Sequence, residues 1–349
     1  MRAALSATER SRLSFDRRLE IFDTISVDHP LIGQTRARVR SLIKQTEARV
    51  SGSDFPPYWE TELAKHSELW LLPIFGPSGA TKSKTIKIVL DEILAKRADR
   101  TMVPVRYLKV DGATKTTRQL QVRLLETLSS AEAAELAKGR YYSEPKANAR
   151  LRDLARKDRT TLIVLDEAHA MLKETTIDRM AAGLKSLLNH GVFSIVLIGT
   201  DELRPLFRHS ELRSRTEMPL DFSSPGRPTM ASCVNLFQFA EKFCAALYDE
   251  GVIDSPFRPT STISHCAVLY DITGGVLGQI IRHFRRALQY AFAQNLRTLD
   301  WTSIQFAYSS WATLDGVSSH QDPFIEGPKA STVTVVRKIS DEMKSHASR

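Results

Sequence analysis

Hydrophobic and polar positions change rhythm twice along the chain. From about residue 68 to 222, short apolar runs at 69–75, 102–110, 161–165, 194–198 and 217–220 alternate with amphipathic stretches at 83–96, 116–128, 148–156 and 177–189. The runs are strand-sized, and the stretches repeat apolar residues at helical spacing. Strands alternating with helices predict an α/β domain: a mainly parallel five-stranded sheet covered on both faces. Beyond the Pro- and Gly-containing segment 223–230 (SSPGRPTM), the stretches 233–248, 263–271 and 278–294 read as helices with no strand among them. They predict a second, smaller, α-helical domain. The lead-in is charged and mostly helical. Val39, Leu42 and Ile43 recur at helical spacing among Arg36, Arg38, Arg40 and Lys44, and 51–57 (SGSDFPP) reads as a loop. The tail is polar and is expected to dock weakly or to order only on binding. The expected division is 1–67, 68–224, 225–312 and 313–349, with no internal repeat.

Composition narrows the class without naming a function. A chain of 349 residues fits about two domains. Its 42% apolar and 26% charged residues exclude wholesale disorder. Lys+Arg exceed Asp+Glu by 49 − 40 = +9, which fits a polyanionic partner: DNA, RNA or an anionic membrane surface. Cys233, Cys244 and Cys266 form no CxxC pair and no zinc spacing, and read as buried small apolar residues of a reducing compartment. No apolar run approaches the ~18 residues of a membrane span. Residues 1–18 are basic but lack the apolar core of a signal peptide. A soluble cytoplasmic protein is the expectation.

Chemistry enters at the end of the first predicted strand. Gly76-Pro77-Ser78-Gly79-Ala80-Thr81-Lys82-Ser83 follows that strand and opens a helix, with Lys84 next in line. That context is the one a phosphate-binding P-loop requires. Backbone N–H groups curl around a phosphate at the positive end of a helix. Lys82 would reach the β- and γ-phosphates of ATP, and the Ser83 hydroxyl would ligate Mg²⁺. Thr81 departs from the pattern, because it stands where a second glycine belongs. A β-branched residue is poorly suited to the unusual backbone angles of that position.

A second motif strengthens the first. The apolar strand Thr161-Leu162-Ile163-Val164-Leu165 ends in Asp166-Glu167. In P-loop ATPases the Asp at this point holds the Mg²⁺ shell, and the following Glu polarises the attacking water. Either carboxylate alone could be a solvated strand end; together with the loop they form an ATPase pair. His169 completes an Asp-Glu-Ala-His string like a helicase box, but no further helicase motif follows, and it reads as helix surface. Thr200 ends the next strand and would sense the γ-phosphate if that strand neighbours the loop strand. As an alternative it is a helix cap. Arg215, in Glu211-Leu212-Arg213-Ser214-Arg215, could be an arginine finger completing a neighbouring subunit's site, or a solvated basic helix end.

This order of motifs resembles an AAA+ ATPase, and the wording is closer still to the TniB/TnsC-type ATPases of DNA transposition. The stretches that carry the resemblance are LLPIFGPSGATKSKTI, TLIVLDEAHAML, GLKSLLNHGVFSIVLIGTDEL and TGGVLGQIIRHFRRAL, over about residues 25–305. The resemblance implies an AAA+ P-loop core with a helical lid, in a bacterial cytoplasmic protein. It implies a regulator that binds ATP and Mg²⁺ and oligomerises on double-stranded DNA as a ring or filament. It also implies partners: a TniQ-type target selector and a DDE-type transposase. A CRISPR-associated transposon is one setting it allows. It further implies DNA contacts after the second strand, where Lys115, Thr117 and Arg118 offer phosphate donors. The lid position near Gly278 lacks the Arg common in AAA+ lids; Arg282, one turn on, could substitute for it or be a solvated or intersubunit residue. The pair Tyr141-Tyr142 could stack on a base or pack in a core. Two other readings stay open: a helicase-loader or initiator-like ATPase, and a nucleotide-gated DNA scaffold with little turnover because of Thr81.

Overall fold

The computed structural model describes residues 12–50, 69–96, 103–131, 133, 143–172, 176–190, 193–223, 226–314 and 322–347. Tyr141, Tyr142 and the 51–57 loop lie outside them. The elements run α1 (Phe15–Thr24), α2 (Pro30–Val50), β1 (Leu71–Phe75), α3 (Lys82–Ala95), β2 (Val105–Lys109), α4 (Thr117–Leu128) and α5 (Glu144–Lys157). They continue β3 (Leu162–Asp166), α6 (Ile177–His190), β4 (Ser194–Gly199), α7 (Ser210–Arg213) and β5 (Leu220–Asp221). Five longer helices end the chain: α8 (Met230–Asp249), α9 (Ile263–Thr273), α10 (Leu277–Ala293), α11 (Trp301–Leu314) and α12 (Ala330–Ala347). The chain divides into an α/β unit, Leu31–Ser78 with Lys82–Phe222, and a helical unit, Met1–Pro30 and Gly79–Thr81 with Ser223–Arg349.

In the α/β unit five parallel strands lie in the order β2-β3-β4-β1-β5. Every residue of β1, β3 and β4 is buried, as continuous apolar strands covered on both faces require. Alternation divides them. Leu71, Phe75, Ile163, Leu165, Ile195 and Leu197 join a core with Leu120, Leu124, Leu151, Leu184 and Leu188 from α4, α5 and α6. The other face carries Leu72, Ile74, Val164 and Val196, all fully buried. The predicted strand at 102–110 narrows to β2, which starts after Pro104, a residue with no N–H to give a ladder. The predicted strand at 217–220 becomes the two-residue edge strand β5, again just after a proline, Pro219.

The helical unit is built on aromatic side chains. Phe243 meets Phe22 edge-on at 5.3 Å and stacks with Phe239 at 5.9 Å, and Phe257 meets both Phe284 and Trp301 at 6.2 Å. The lead-in is not one block: α1 groups with the helical unit and most of α2 with the α/β unit. What fixes α1 is Arg18, fully buried, which donates to the Val252 carbonyl at 3.0 Å and to Asp254 at 2.9 Å. The tail also differs from its expectation. It forms α12, whose Val336 and Ile339 are buried. Asp271 holds its start, accepting from Lys329 N–H and the Thr332 hydroxyl, each at 2.7 Å. Apolar spacing at Val333, Val336 and Ile339 is the signal that its polar composition masked. Among the described residues, no helix is long and apolar enough to cross a membrane.

Candidate functional site

The parallel register brings the C-terminal ends of β1, β3 and β4 to one edge of the sheet. Phe75 pairs with Gly199, and Leu165 with Leu197. In open parallel sheets this edge is where ligands bind. The loop from Gly76 to Thr81 leaves β1 there and enters α3. Gly76 has φ +153°, and a Cβ on it would stand 2.8 Å from the Cβ of Phe222, so no side chain fits. Gly79 has φ +78°. Pro77 and Ser78 are half-buried and exposed, and Ala80 is buried. Ser83 and Lys84 lie in the first turn of α3, so the helix offers its positive end to the loop.

Thr81 sits at φ +65°, in the left-handed region. The backbone therefore has the conformation that a glycine would give, and the threonine bears it at a cost of roughly 1–2 kcal/mol. Its hydroxyl donates to the Ala80 carbonyl at 2.6 Å. Lys82 is buried and folds back on the loop, its Nζ donating to the carbonyls of Gly76 at 2.7 Å and Pro77 at 2.8 Å.

Asp166 ends β3 and is 3% exposed. One carboxylate oxygen accepts from the Glu167 N–H at 2.9 Å, the other from the hydroxyl of Tyr107. Tyr107 was not foreseen. It pairs with Val164 in the neighbouring strand, and Asp166 stands two residues on, on the same face, within diagonal reach. Burial first, then the bond to Asp166, pushes the phenol up, well above its ordinary range, and the hydroxyl stays protonated. The Ser83 hydroxyl, close to the same phenol, acts the other way and lowers it. Ser83 and Asp166 are thus gathered around one oxygen.

Glu167 has φ +56° and an accessible carboxylate, with His169 Nε2 3.6 Å from its Oε2. Four described non-glycine residues have positive φ, and two of them, Thr81 and Glu167, flank this site, where backbone strain characteristically collects. His169 stands on a short 3₁₀ turn, half-buried. Thr200 follows β4, which does neighbour β1. Its Oγ1 is buried with no hydrogen-bond partner, a cost that an oxygen-bearing ligand or water would relieve. A buried lysine, two hard oxygen donors and an unsatisfied hydroxyl fit a nucleotide and a Mg²⁺ that keeps most of its ligands from phosphate and water.

Arg215 is not gathered with these groups. Its carbonyl accepts from the N–H of Leu71, at the start of β1, four residues upstream of Phe75 and at the opposite end of the strand from the loop. Lys115, Thr117 and Arg118 follow β2. Thr116 caps α4, and the Thr117 hydroxyl donates to the Arg179 carbonyl at 3.4 Å while its side chain fills the space over Gly183. Thr117 thus serves packing, and Lys115 and Arg118 present the cationic ends of that turn. Gly79–Thr81 group with the helical unit. There a Cβ on Gly79 would stand 2.1 Å from Arg282 Cζ, and one on Gly278 only 1.7 Å from the Gly79 carbonyl oxygen. Arg282 is the arginine that lies over Gly79.

The parallel sheet with its helices has the AAA+ P-loop NTPase fold. Residues 71–207 match the family model of the AAA domain. The chain is similar to a solved structure of Drosophila ORC bound to DNA, at 14% identity and TM-score 0.54, over 99% of this chain and 82% of that one. It is also similar to the Aeropyrum pernix ORC1 protein in complex with DNA, at 17% identity and TM-score 0.54, over 84% and 69%. At these identities the likeness is one of fold. No curated protein matches the chain.

Proposed function

We propose that the chain is an ATP-dependent, DNA-binding AAA+ regulator of transposition, assembled as a homo-oligomer on target duplex DNA. The observation that carries its ATPase part is the gathering of Lys82, Ser83, Asp166, Glu167 and the unpartnered Thr200 hydroxyl at one sheet edge. The transposition part rests on the resemblance of GLKSLLNHGV…VLIGTDEL to TniB/TnsC-type ATPases, and so do a TniQ-type selector and a DDE-type transposase as partners.

The reaction is transfer of the γ-phosphoryl group to water. Ser83 and Asp166 would hold Mg²⁺, which supplies charge neutralisation between the phosphates. Lys82 turns from the loop carbonyls to the phosphate oxygens. Glu167 orients the attacking water and takes its proton, and the Thr200 hydroxyl donates to the γ-phosphate. The position of Arg215, away from its own subunit's loop, suits a finger that acts on a neighbour's nucleotide. Lys115 and Arg118 pair with duplex phosphates.

A second reading, an initiator or helicase-loader ATPase, is favoured by the likeness in fold to two ORC structures solved with DNA. A third, a nucleotide-gated scaffold, rests on Thr81 alone. The test is imaging of the purified protein on duplex DNA with ADP, ATP and a non-hydrolysable analogue. Assembly with ATP or its analogue and not with ADP is expected, and no assembly in any state would overturn the proposal. Capture of a purified DDE transposase by the ATP-bound assembly separates the first reading from the second. Phosphate release at background, unchanged by Glu167→Gln, would select the third.

A further inference from the structure

Tyr107 belongs to no motif, yet its phenol oxygen adjoins both side chains that would hold the cation. It donates to one oxygen of Asp166, and the Ser83 hydroxyl lies close to it. The second Asp166 oxygen is held by the Glu167 N–H at 2.9 Å. A carboxylate only 3% exposed is thus partnered on both oxygens by donors of its own chain. The ring itself is fixed from two sides. Its backbone lies in the β2 ladder, and the Lys87 ammonium stands 5.1 Å from its centroid.

The direction of these hydrogen bonds matters. A carboxylate oxygen that accepts one hydrogen bond keeps a further lone pair on the same atom. The bond from Tyr107 therefore leaves Asp166 acceptor capacity for a cation and holds the carboxylate in place without one. Mg²⁺ demands near-octahedral geometry and tolerates little ligand disorder. Hydrogen bonds behind metal ligands typically change metal affinity by about 10–100-fold when removed.

We infer that Tyr107 is a positioning residue for the nucleotide-bound divalent cation, setting the Mg²⁺ concentration at which the site fills. It acts through Asp166, to which its hydroxyl donates. The inference rests on the nucleotide reading of the site given above.

The experiment uses the full chain and a fluorescent ATP analogue. Its affinity is measured in EDTA and then across a Mg²⁺ titration, for wild type and Tyr107→Phe, which removes only the hydroxyl. Mn²⁺ in place of Mg²⁺, read by electron paramagnetic resonance, reports the cation directly without turnover. The expected result is an affinity in EDTA unchanged within about threefold, with the Mg²⁺ and Mn²⁺ midpoints raised about tenfold or more. Unchanged midpoints would overturn the inference while leaving the nucleotide site standing. Lowered midpoints would overturn it too, because the phenol would then be a competitor of the cation. A wild-type chain that binds no nucleotide with or without Mg²⁺ would overturn the nucleotide reading itself and this inference with it. If Tyr107→Phe melts early, Lys87→Met tests the same ring without touching the hydrogen bonds. It loosens the ring's support and is expected to move the metal midpoints in the same direction by a smaller factor, and unmoved midpoints would count against the inference.

Discussion

The two units solve burial differently. The α/β unit buries aliphatic strands between helices and brings its buried charges, Lys82 and Asp166, to one sheet edge, where each has partners of its own chain. The helical unit buries phenylalanines, and its deep polar groups are isolated ties: Arg18 to Asp254, His283 to the Ile272 carbonyl, Thr332 in α12 to Asp271. In the first unit buried charge converges on one sheet edge. In the second it is scattered, and each group fastens one segment. Substitutions should therefore cost ligand affinity in one unit and stability in the other.

The largest effect is expected at Lys82. Charge-assisted hydrogen bonds contribute about 1.5–3 kcal/mol each, so Lys82→Ala should lower nucleotide affinity by about two to three orders of magnitude. Its melting temperature should move little, since the bonds to the Gly76 and Pro77 carbonyls tie the lysine to its own loop. Equilibrium binding of a labelled nucleotide beside a thermal melt checks both parts, and a large loss of stability with affinity intact would erase the contrast between the units. Next comes Arg18→Ala. The side chain is wholly buried and Asp254 about a third exposed, so removing one partner should cost about 2–4 kcal/mol. Urea unfolding of the variant should show that loss, with nucleotide binding by the surviving folded fraction unaltered.

What could be read from the sequence follows the same division. The α/β fold and its five strands were legible because apolar runs and helical spacing alternate locally. The loop and the Asp166–Glu167 pair were legible because a short string contains each. Tyr107 was not, because its reach to Asp166 depends on the register of β2 against β3, which no local pattern displays. Arg18 was not, because its partners lie more than 230 residues away. The tail was misjudged for a third reason: charged residues on one face of α12 outweighed Val336 and Ile339 on the other.

Acid should separate the units further. His29 and His283, both in the helical unit, are pushed down to about 4 from 6.5, in each case mainly by burial. Arg282 and Arg286 lower His283 further, and its Nδ1 is buried without a partner. Both imidazoles are neutral in the fold. Between pH 6.5 and 4 the unfolded chain binds the extra protons, so their contribution is full above pH 6.5 and is lost as pH falls toward 4. At pH 5 the loss should be about 2 kcal/mol per histidine. Near-ultraviolet circular dichroism against urea at pH 7 and pH 5 would measure it. His29→Gln with His283→Gln should flatten the dependence, and a flat profile in the wild type would remove histidine burial as a weakness of this unit.

The smallest effect tests the one departure within the site. Thr81 already has the left-handed backbone of a glycine, so Thr81→Gly changes no path of the loop. Relief of left-handed strain is worth about 1–2 kcal/mol, and the greater freedom of an unfolded glycine opposes it by about 0.5–1 kcal/mol. The net expectation is a gain of up to about 1 kcal/mol in stability, with nucleotide affinity within about threefold of wild type. Thr81→Ala sharpens the point, because it keeps the Cβ that causes the strain and removes only the hydroxyl bonded to the Ala80 carbonyl. It should gain nothing. If instead Thr81→Gly raised nucleotide affinity tenfold, the threonine would act on the ligand and not on the backbone. The loop would then be a weakened phosphate cradle, and the scaffold reading would gain at the expense of the ATPase.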